Sequence, residues 1–322
     1  MNIVITGGAG FLGTLLIQEL LSEADHDKLD LNEIVSFDLA AARVSDPRVR
    51  SVVGEITNRE TVLQAITGET DAVIHLAAVL SGGSEADFDS ALRVNIDGTR
   101  CLLEAVRHAR SSKGDHPARF VFTSSLAVFG GSLPQVMPEY WATQPDSTYG
   151  ATKSIGELLV NEYGRKGFVD ARICRLPTIS VRPGKPNSAA SSFASGIIRE
   201  PLNGVPSEVP VPHDTKMWLA SPQVAVRNLG RALLVEGSEL GSWRVMNLPG
   251  ICVTVGEMLD SLERVAGAET RKLVSDKPDE SIAAIVTSWP GNFDVSRVED
   301  LGFERDRDFD SMVRQYQDDF LS

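Results

Sequence analysis

Short apolar runs alternate with longer amphipathic stretches over roughly the first 180 residues. NIVIT (2–6), EIVSFD (33–38), VRSVVG (49–54), DAVIHLA (71–77), RFVFTSS (119–125) and DARICRL (170–176) are rich in Val, Ile and Phe. Runs this short, β-branched and bounded by polar segments predict strands. Between them lie FLGTLLIQELLSE (11–23) and NIDGTRCLLEAVRHA (95–109), whose apolar positions recur at helical spacing. Such alternation predicts right-handed crossovers and an α/β fold, with a doubly wound parallel sheet covered on both faces. The texture changes after residue 176, where Pro177, Pro183, Pro186, Pro201, Pro206, Pro210 and Pro212 break up the chain. A second, smaller α/β portion follows, with helices expected at 222–236 and 254–266. The polar stretch KGDH (113–116) reads as a surface loop.

Composition narrows the partners. The 322 residues are 42% hydrophobic and 23% charged, as in a folded domain. Lys and Arg total 31 against 44 Asp and Glu, a net charge of −13. That balance argues against nucleic acid, which needs a basic footprint, and against anionic membrane surfaces. No run of ~18 apolar residues predicts a membrane span, and the start MNIVITGGAGFLG lacks the basic and apolar regions of a signal peptide. Cys101, Cys174 and Cys252 are widely spaced, without a CxxC pair, which suggests neither a disulfide framework nor a cysteine zinc site. A reducing compartment, the cytoplasm, fits. The histidines at 26, 75, 108, 116 and 213 show no metal-ligand spacing, so no metal is expected.

The first strand runs straight into Gly7-Gly8-Ala9-Gly10-Phe11-Leu12-Gly13. Glycines at positions 7, 10 and 13 allow a tight turn, close approach of a pyrophosphate and close helix–strand packing. The following helix start offers unpaired N–H groups to the phosphates. A Gly-rich turn alone is weak evidence; one that ends a first strand and opens an amphipathic helix is the context a dinucleotide site requires. The fold expected is therefore of Rossmann type. Asp38 ends the second strand, where a carboxylate accepts hydrogen bonds from an adenosine ribose and repels a 2′-phosphate. NAD is therefore favoured, with NADP possible because Arg43 lies close by.

Tyr149 and Lys153 lie four residues apart, on one face if STYGATKSIGELLVNEYG is helical. An ammonium beside a phenol favours the phenolate, so Tyr149 is a candidate acid/base. The spacing alone is a common accident. Ser125 changes the weighing: it ends a strand, and ligands of open α/β sheets sit outside the carboxyl ends of strands.

TGGAGFLG (6–13), Asp38, HLAA (75–78), Asn95 with IDGT (96–99), SSLAVFG (124–130) and YGATK (149–153) run in order over half the chain. Together they resemble the extended short-chain dehydrogenase/reductase family, also called NAD-dependent epimerase/dehydratases. The resemblance implies a catalytic set in which Ser125 orients the substrate, Tyr149 is the acid/base and Lys153 holds the ribose. It implies cofactor contacts from Phe11 and Leu12 at the pyrophosphate, Glu55 and Ile56 at adenine, Leu76, Ala77 and Ala78 along the ribose, and Leu176 and Thr178 near the nicotinamide. Asn95 joins this cofactor-binding set, and a homodimer through helices near 95–110 and 149–164 is implied. Glu55 replaces the usual Asp, which weakens the adenine contact, and Phe129 replaces a frequent Tyr with a change in packing only. Leu126 and Ala127 stand where sugar-nucleotide dehydratases carry an acidic pair, so dehydration is not expected.

The stretch from Ala171 to Arg199 holds Arg172, Arg175, Arg182, Lys185 and Arg199 and no acid. Such an island concentrates anions within an acidic chain. The competing reading is a set of solvated surface cations, and at least one of Arg172 and Arg175, in a strand, can be purely structural. RLPTISVRPGKPNSAASSF (175–193), TKMWLASP (215–222) and IVTSWPGNFDVSRVEDLGF (285–303) resemble, more narrowly, a branch of the family that oxidises the 2-hydroxyl of a four-carbon sugar acid. The implied function is NAD-dependent oxidation of a small anionic sugar acid in sugar-acid catabolism. Arg182 and Asn187 would bind the acid, and Trp218 would line the pocket or serve as ordinary core. His75 is expected to pack beside the sheet. Residues 1–180 are then the cofactor-binding portion and 181–322 mainly the substrate-binding portion, partly interleaved with it. A nucleotide-sugar epimerase is the alternative enzyme, but residues 255–300 carry no arginine-rich phosphate clamp. A non-catalytic dinucleotide-binding redox sensor is disfavoured because Ser125, Tyr149 and Lys153 are all present.

Overall fold

Among the described residues the alternating pattern folds into twelve strands: β1 (Asn2–Thr6), β2 (Glu33–Asp38), β3 (Val49–Val53), β4 (Ala72–His75), β5 (Arg119–Ser125), β6 (Asp170–Leu176), β7 (Thr178–Ile179), β8 (Ser207–Val209), β9 (Lys216–Ala220), β10 (Val245–Asn247), β11 (Ile251–Thr254) and β12 (Val274–Asp276). The computed structural model describes residues 1–110, 116–184 and 189–321. Of the expected 113–116 loop, only His116 lies within them. Seven strands form one all-parallel sheet in the order β3-β2-β1-β4-β5-β6-β10. The order reverses between β1 and β4, which opens a crevice at their carboxyl ends.

The named helices are α1 (Phe11–Asp25), α2 (Arg59–Ala65), α3 (Ser81–Ala86), α4 (Phe88–Ala91), α5 (Thr99–Arg110), α6 (Thr148–Arg165), α7 (Phe193–Leu202) and α8 (Pro222–Leu234). Side chains alternate across a strand, and β1 serves two cores. Ile3 and Ile5 pack with Leu16, Ile17 and Leu20 of α1 and Leu229 and Leu233 of α8. Val4 packs on the other face with Leu102, Leu103 and Val106 of α5 and Val160 of α6. Each fully buried aliphatic side chain is worth about 1.5–3 kcal/mol, so both faces hold the sheet in register.

The chain after residue 180 builds a third core, from Ile197, Ile198, Leu219, Met258, Leu262 and Met312. Two small sheets, β11-β9-β7 and β12-β8, sit with it. The same stretch returns to the large sheet, because β10 pairs with β6 and α8 packs on α1.

Arg172 explains part of that return. It is fully buried, pairs with Asp170 at 2.7 Å and donates to the Leu233 carbonyl at 2.9 Å, at the carboxyl end of α8. A cation there satisfies carbonyls the helix leaves open.

Candidate active site

A cleft of about 710 Å³ runs along the carboxyl ends of the central strands. The turn after β1 forms one wall. Gly7 has φ +74°, a conformation that favours glycine. A Cβ added at Gly13 would stand 2.1 Å from the Gly7 carbonyl oxygen, so α1 starts directly against the turn. No side chain caps that helix at Gly10, which leaves its first N–H groups facing the cleft. Gly7, Gly10, Phe11, Leu12 and Gly13 all line it. Asp38 stands beside them and accepts from Ala9 N at 3.0 Å and Leu39 N at 2.6 Å, tying β2 to the glycine turn. Glu55, Ile56, Leu76, Ala77, Ala78, Leu176 and Thr178 complete the walls of this extended cleft. Three strand spacings separate β2 from β5, roughly 14 Å across the switch point. An elongated cleft with a glycine cradle, open helix N–H groups and a carboxylate beyond them fits a dinucleotide.

Threonines align the strand ends below it. Thr6 Oγ1 meets His75 Nδ1 at 2.7 Å and accepts from Ala77 N at 3.2 Å, while Thr123 Oγ1 donates to the His75 carbonyl at 2.7 Å. His75 is buried between Thr6 and Thr99 and does not line the cleft. Burial, helped by the charge of Lys153, pulls its imidazole down to about 3, so it is neutral near pH 7.

At the other end, Ser125, Tyr149 and Lys153 come together on the cleft wall. Ser125 ends β5; its hydroxyl accepts from Ala127 N at 3.2 Å and stands near enough to the Tyr149 phenol to favour its ionised form. Ser147 caps α6, its side chain accepting from Gly150 N, and so fixes the first turn that carries Tyr149. Lys153 Nζ donates to the Thr123 carbonyl at 2.7 Å and lies 5.7 Å from the Tyr149 ring centre. The electrostatics differ from the expectation that the ammonium lowers the phenol. Burial pushes Tyr149 up to about 12, against the pull of the nearby Ser125 hydroxyl. Burial also brings Lys153 down to about 7, opposed by Glu157. Desolvation disfavours both charged forms, and it wins in this apolar wall.

Other expected site residues lie elsewhere. Asn95 is buried one layer behind the wall: it pairs with both backbone groups of Val79 and donates to Thr152 Oγ1 at 3.0 Å. It positions a lining segment and does not itself line the cleft. Around it the expected 95–109 helix begins with a wide π turn, Leu92–Gly98, before α5. Trp218 does not line the pocket either: it is buried on Phe293, and its indole N–H donates to the Leu248 carbonyl at 3.2 Å. Trp289 lines the cleft instead, with Arg93, Ser81 and Ser191, none of which the sequence singled out. The Trp289-Pro290-Gly291 turn was the available signal.

The basic island largely dissolves into structure. Arg172 caps α8, Arg175 pairs with Glu157, and Arg199 bonds Glu200 and the Arg182 carbonyl. Arg182 does line the cleft, with its neighbour Ser195 accepting from its backbone N–H. Lys185 and Asn187 lie outside the described residues. Among the described lining residues the carboxylates are Asp38 and Glu55, both at the far end from Tyr149, and Leu126 and Ala127 put no acid beside Ser125. Among the described residues there is no cluster of His, Cys, Asp and Glu that could hold a metal, and no helix long and apolar enough to cross a membrane.

A parallel sheet in this order, with a glycine turn at one end of its crevice and a Ser–Tyr–Lys group at the other, defines the class. The model of the NAD dependent epimerase/dehydratase family matches residues 3–219, and the chain belongs to that family. Within it, the chain is similar to D-erythronate dehydrogenase of Cupriavidus necator, 47% identical over 99% of this chain and 98% of the relative. It is also similar to D-erythronate dehydrogenase of Haemophilus influenzae, 42% identical over 98% of each. A solved structure named as a nucleoside-diphosphate-sugar epimerase from Agrobacterium tumefaciens superposes with a TM-score of 0.93 at 36% identity, covering 100% of this chain and 94% of that one.

Proposed function

We propose that this chain is an NAD-dependent oxidoreductase that converts D-erythronate to 2-dehydro-D-erythronate by oxidising its 2-hydroxyl. One observation carries the reading: the Ser125–Tyr149–Lys153 end of the cleft carries Arg182 and no acidic side chain. An acid-poor pocket with arginine on its wall suits a small carboxylate, which has few atoms and must rely on charge-assisted bonds. Near-full-length similarity to two D-erythronate dehydrogenases supports the choice of acid.

Gly7, Gly10, Phe11, Leu12 and Gly13 hold the pyrophosphate, Asp38 the adenosine ribose, Glu55 and Ile56 the adenine, Leu76, Ala77 and Ala78 the intervening wall, and Leu176 and Thr178 the nicotinamide end. When bound, NAD would supply the acceptor for the hydride leaving C2. Arg182 grips the carboxylate. Ser125 donates to or accepts from the C2 oxygen and fixes it against Tyr149. Tyr149 takes the hydroxyl proton in its phenolate form, which burial disfavours and the Lys153 ammonium beside the ring favours. The products are a ketone, reduced cofactor and one proton.

Residues 1–180 form the cofactor-binding portion in this reading and 181–322 mainly cover the substrate, with β10 and α8 interleaved into the first. The working form is a homodimer, supported by Phe88, Ile155 and Leu158, which α4 and α6 expose. The cytoplasm suits three free thiols. The test is a panel of four- to six-carbon aldonates and a nucleotide sugar, each with NAD. Cofactor reduction with the short acids is expected. Turnover of the nucleotide sugar alone would favour an epimerase.

A further inference from the structure

Glu157 lies one turn beyond Lys153 on α6 and is buried away from the cleft lining. Its Oε1 accepts from Ser124 Oγ at 2.6 Å and from Arg175 Nε at 2.8 Å, while Oε2 accepts from Arg175 Nη2 at 2.7 Å. Three consecutive residues of β5 therefore each meet one residue of α6. The Thr123 carbonyl takes Lys153, Ser124 donates to Glu157, and Ser125 stands beside Tyr149. The helix residues are spaced four apart, one above the other on a single face. A buried ion pair is a poor way to stabilise a core, since apolar side chains of similar volume do as well or better. Its place beside the catalytic group calls for another reason.

We propose that Glu157 is a positioning residue for the reaction: it ties the strand end carrying Ser125 to the helix carrying Tyr149 and Lys153, and its negative charge holds the Lys153 ammonium in the apolar wall. The proposal rests on the catalytic reading above for its kinetic consequence only. The groups facing Lys153 are few. Tyr149 and Glu157 face it from α6, neutral His75 from β4, and Thr123 and the Phe122 ring, 4.9 Å from Nζ, from β5, while Arg175 of β6 acts through Glu157. Glu157 is the acid among them. Burial brings the lysine down to about 7, and the carboxylate opposes it.

The first readout needs no turnover. Lysines labelled with carbon-13 at Cε are titrated by NMR, with the Lys153 signal assigned by its loss in Lys153→Met. Glu157→Gln keeps an acceptor for Ser124 but removes the charge, so the midpoint falls by about one pH unit. Glu157→Asp keeps the charge, so the midpoint stays while kcat drops about tenfold from displaced geometry. If Glu157→Gln does not fold, the double variant with Arg175→Met removes both charges and leaves no unpaired cation; the midpoint still falls. Ser124→Ala cuts the strand–helix tie alone and lowers kcat about tenfold with the KM for NAD unchanged. A Lys153 midpoint that stays put in the charge-removing variants overturns the electrostatic part, whatever happens to stability. Wild-type kcat in Ser124→Ala overturns the tie. Absence of aldonate turnover in the wild type counts against the substrate reading and leaves the titration informative.

Discussion

Gly13→Ala is the sharpest probe of the cofactor wall. The added Cβ would stand 2.1 Å from the Gly7 carbonyl oxygen and 2.7 Å from Gly8 Cα. Ordinary contacts of this kind lie near ~3.5 Å, so α1 or the glycine turn must give by about 1.4 Å. Neither neighbour is the tip of a flexible side chain; both are backbone. Overpacking of this kind costs about 1–3 kcal/mol. The displaced atoms carry the N–H groups that face the pyrophosphate, so most of that cost falls on NAD binding. At 1.4 kcal/mol per factor of ten, the KM for NAD rises roughly 5- to 150-fold. Tyr149 and Arg182 lie at the other end, so kcat at saturating NAD and the KM for the acid change little. Gly196→Ala is the control: its nearest neighbour is 3.7 Å away, so it should leave the KM for NAD alone and gain helix stability. A folded Gly13→Ala enzyme with wild-type KM for NAD, or one whose main defect is in the KM for the acid, would refute this placement.

Tyr149→Phe should keep NAD affinity, read by fluorescence quenching, and lose at least about a hundredfold in kcat; an active variant removes Tyr149 from the proton path. Arg182→Ala should raise the KM for the acid about 10- to 100-fold through loss of a charge-assisted bond, with the KM for NAD nearly unchanged. Equal effects on both would take Arg182 out of the substrate pocket. Arg172→Leu should cost about 3 kcal/mol of stability in denaturant unfolding, the low end for a broken buried pair because Asp170 keeps Arg244 at 3.0 Å. A variant that instead alters the KM for the acid would put Arg172 back among the substrate contacts.

The strands, the glycine turn and the Ser–Tyr–Lys group were legible because each is a local pattern: alternation, a turn at a strand end, a four-residue helical spacing. What charge does inside a fold was not. The basic island reads as anion-attracting, with at least one of Arg172 and Arg175 structural; in the fold both point into the interior, where Asp170 and Glu157 neutralise them. Local spacing does not reveal a partner that arrives from a strand neighbour or another helix. The two tryptophans make the same point, since Trp218 is core and Trp289 reaches the cleft, and only the tertiary packing separates them. Asn95 was found as a motif residue, but its distance from the cleft wall depends on how Val79 and Thr152 meet around it. The Tyr149 phenol ran against expectation because spacing registers the nearby ammonium and misses the burial that outweighs it.

The central claim is oxidation at C2 of D-erythronate by NAD. It is tested most directly with D-erythronate carrying deuterium at C2, following the reduced nicotinamide by absorbance and its label by mass spectrometry. Oxidation at C2 puts deuterium on the reduced cofactor and yields a 2-oxo acid. Unlabelled reduced cofactor would mean another hydroxyl is oxidised, and no reduction by a protein that binds NAD would contradict the assignment altogether.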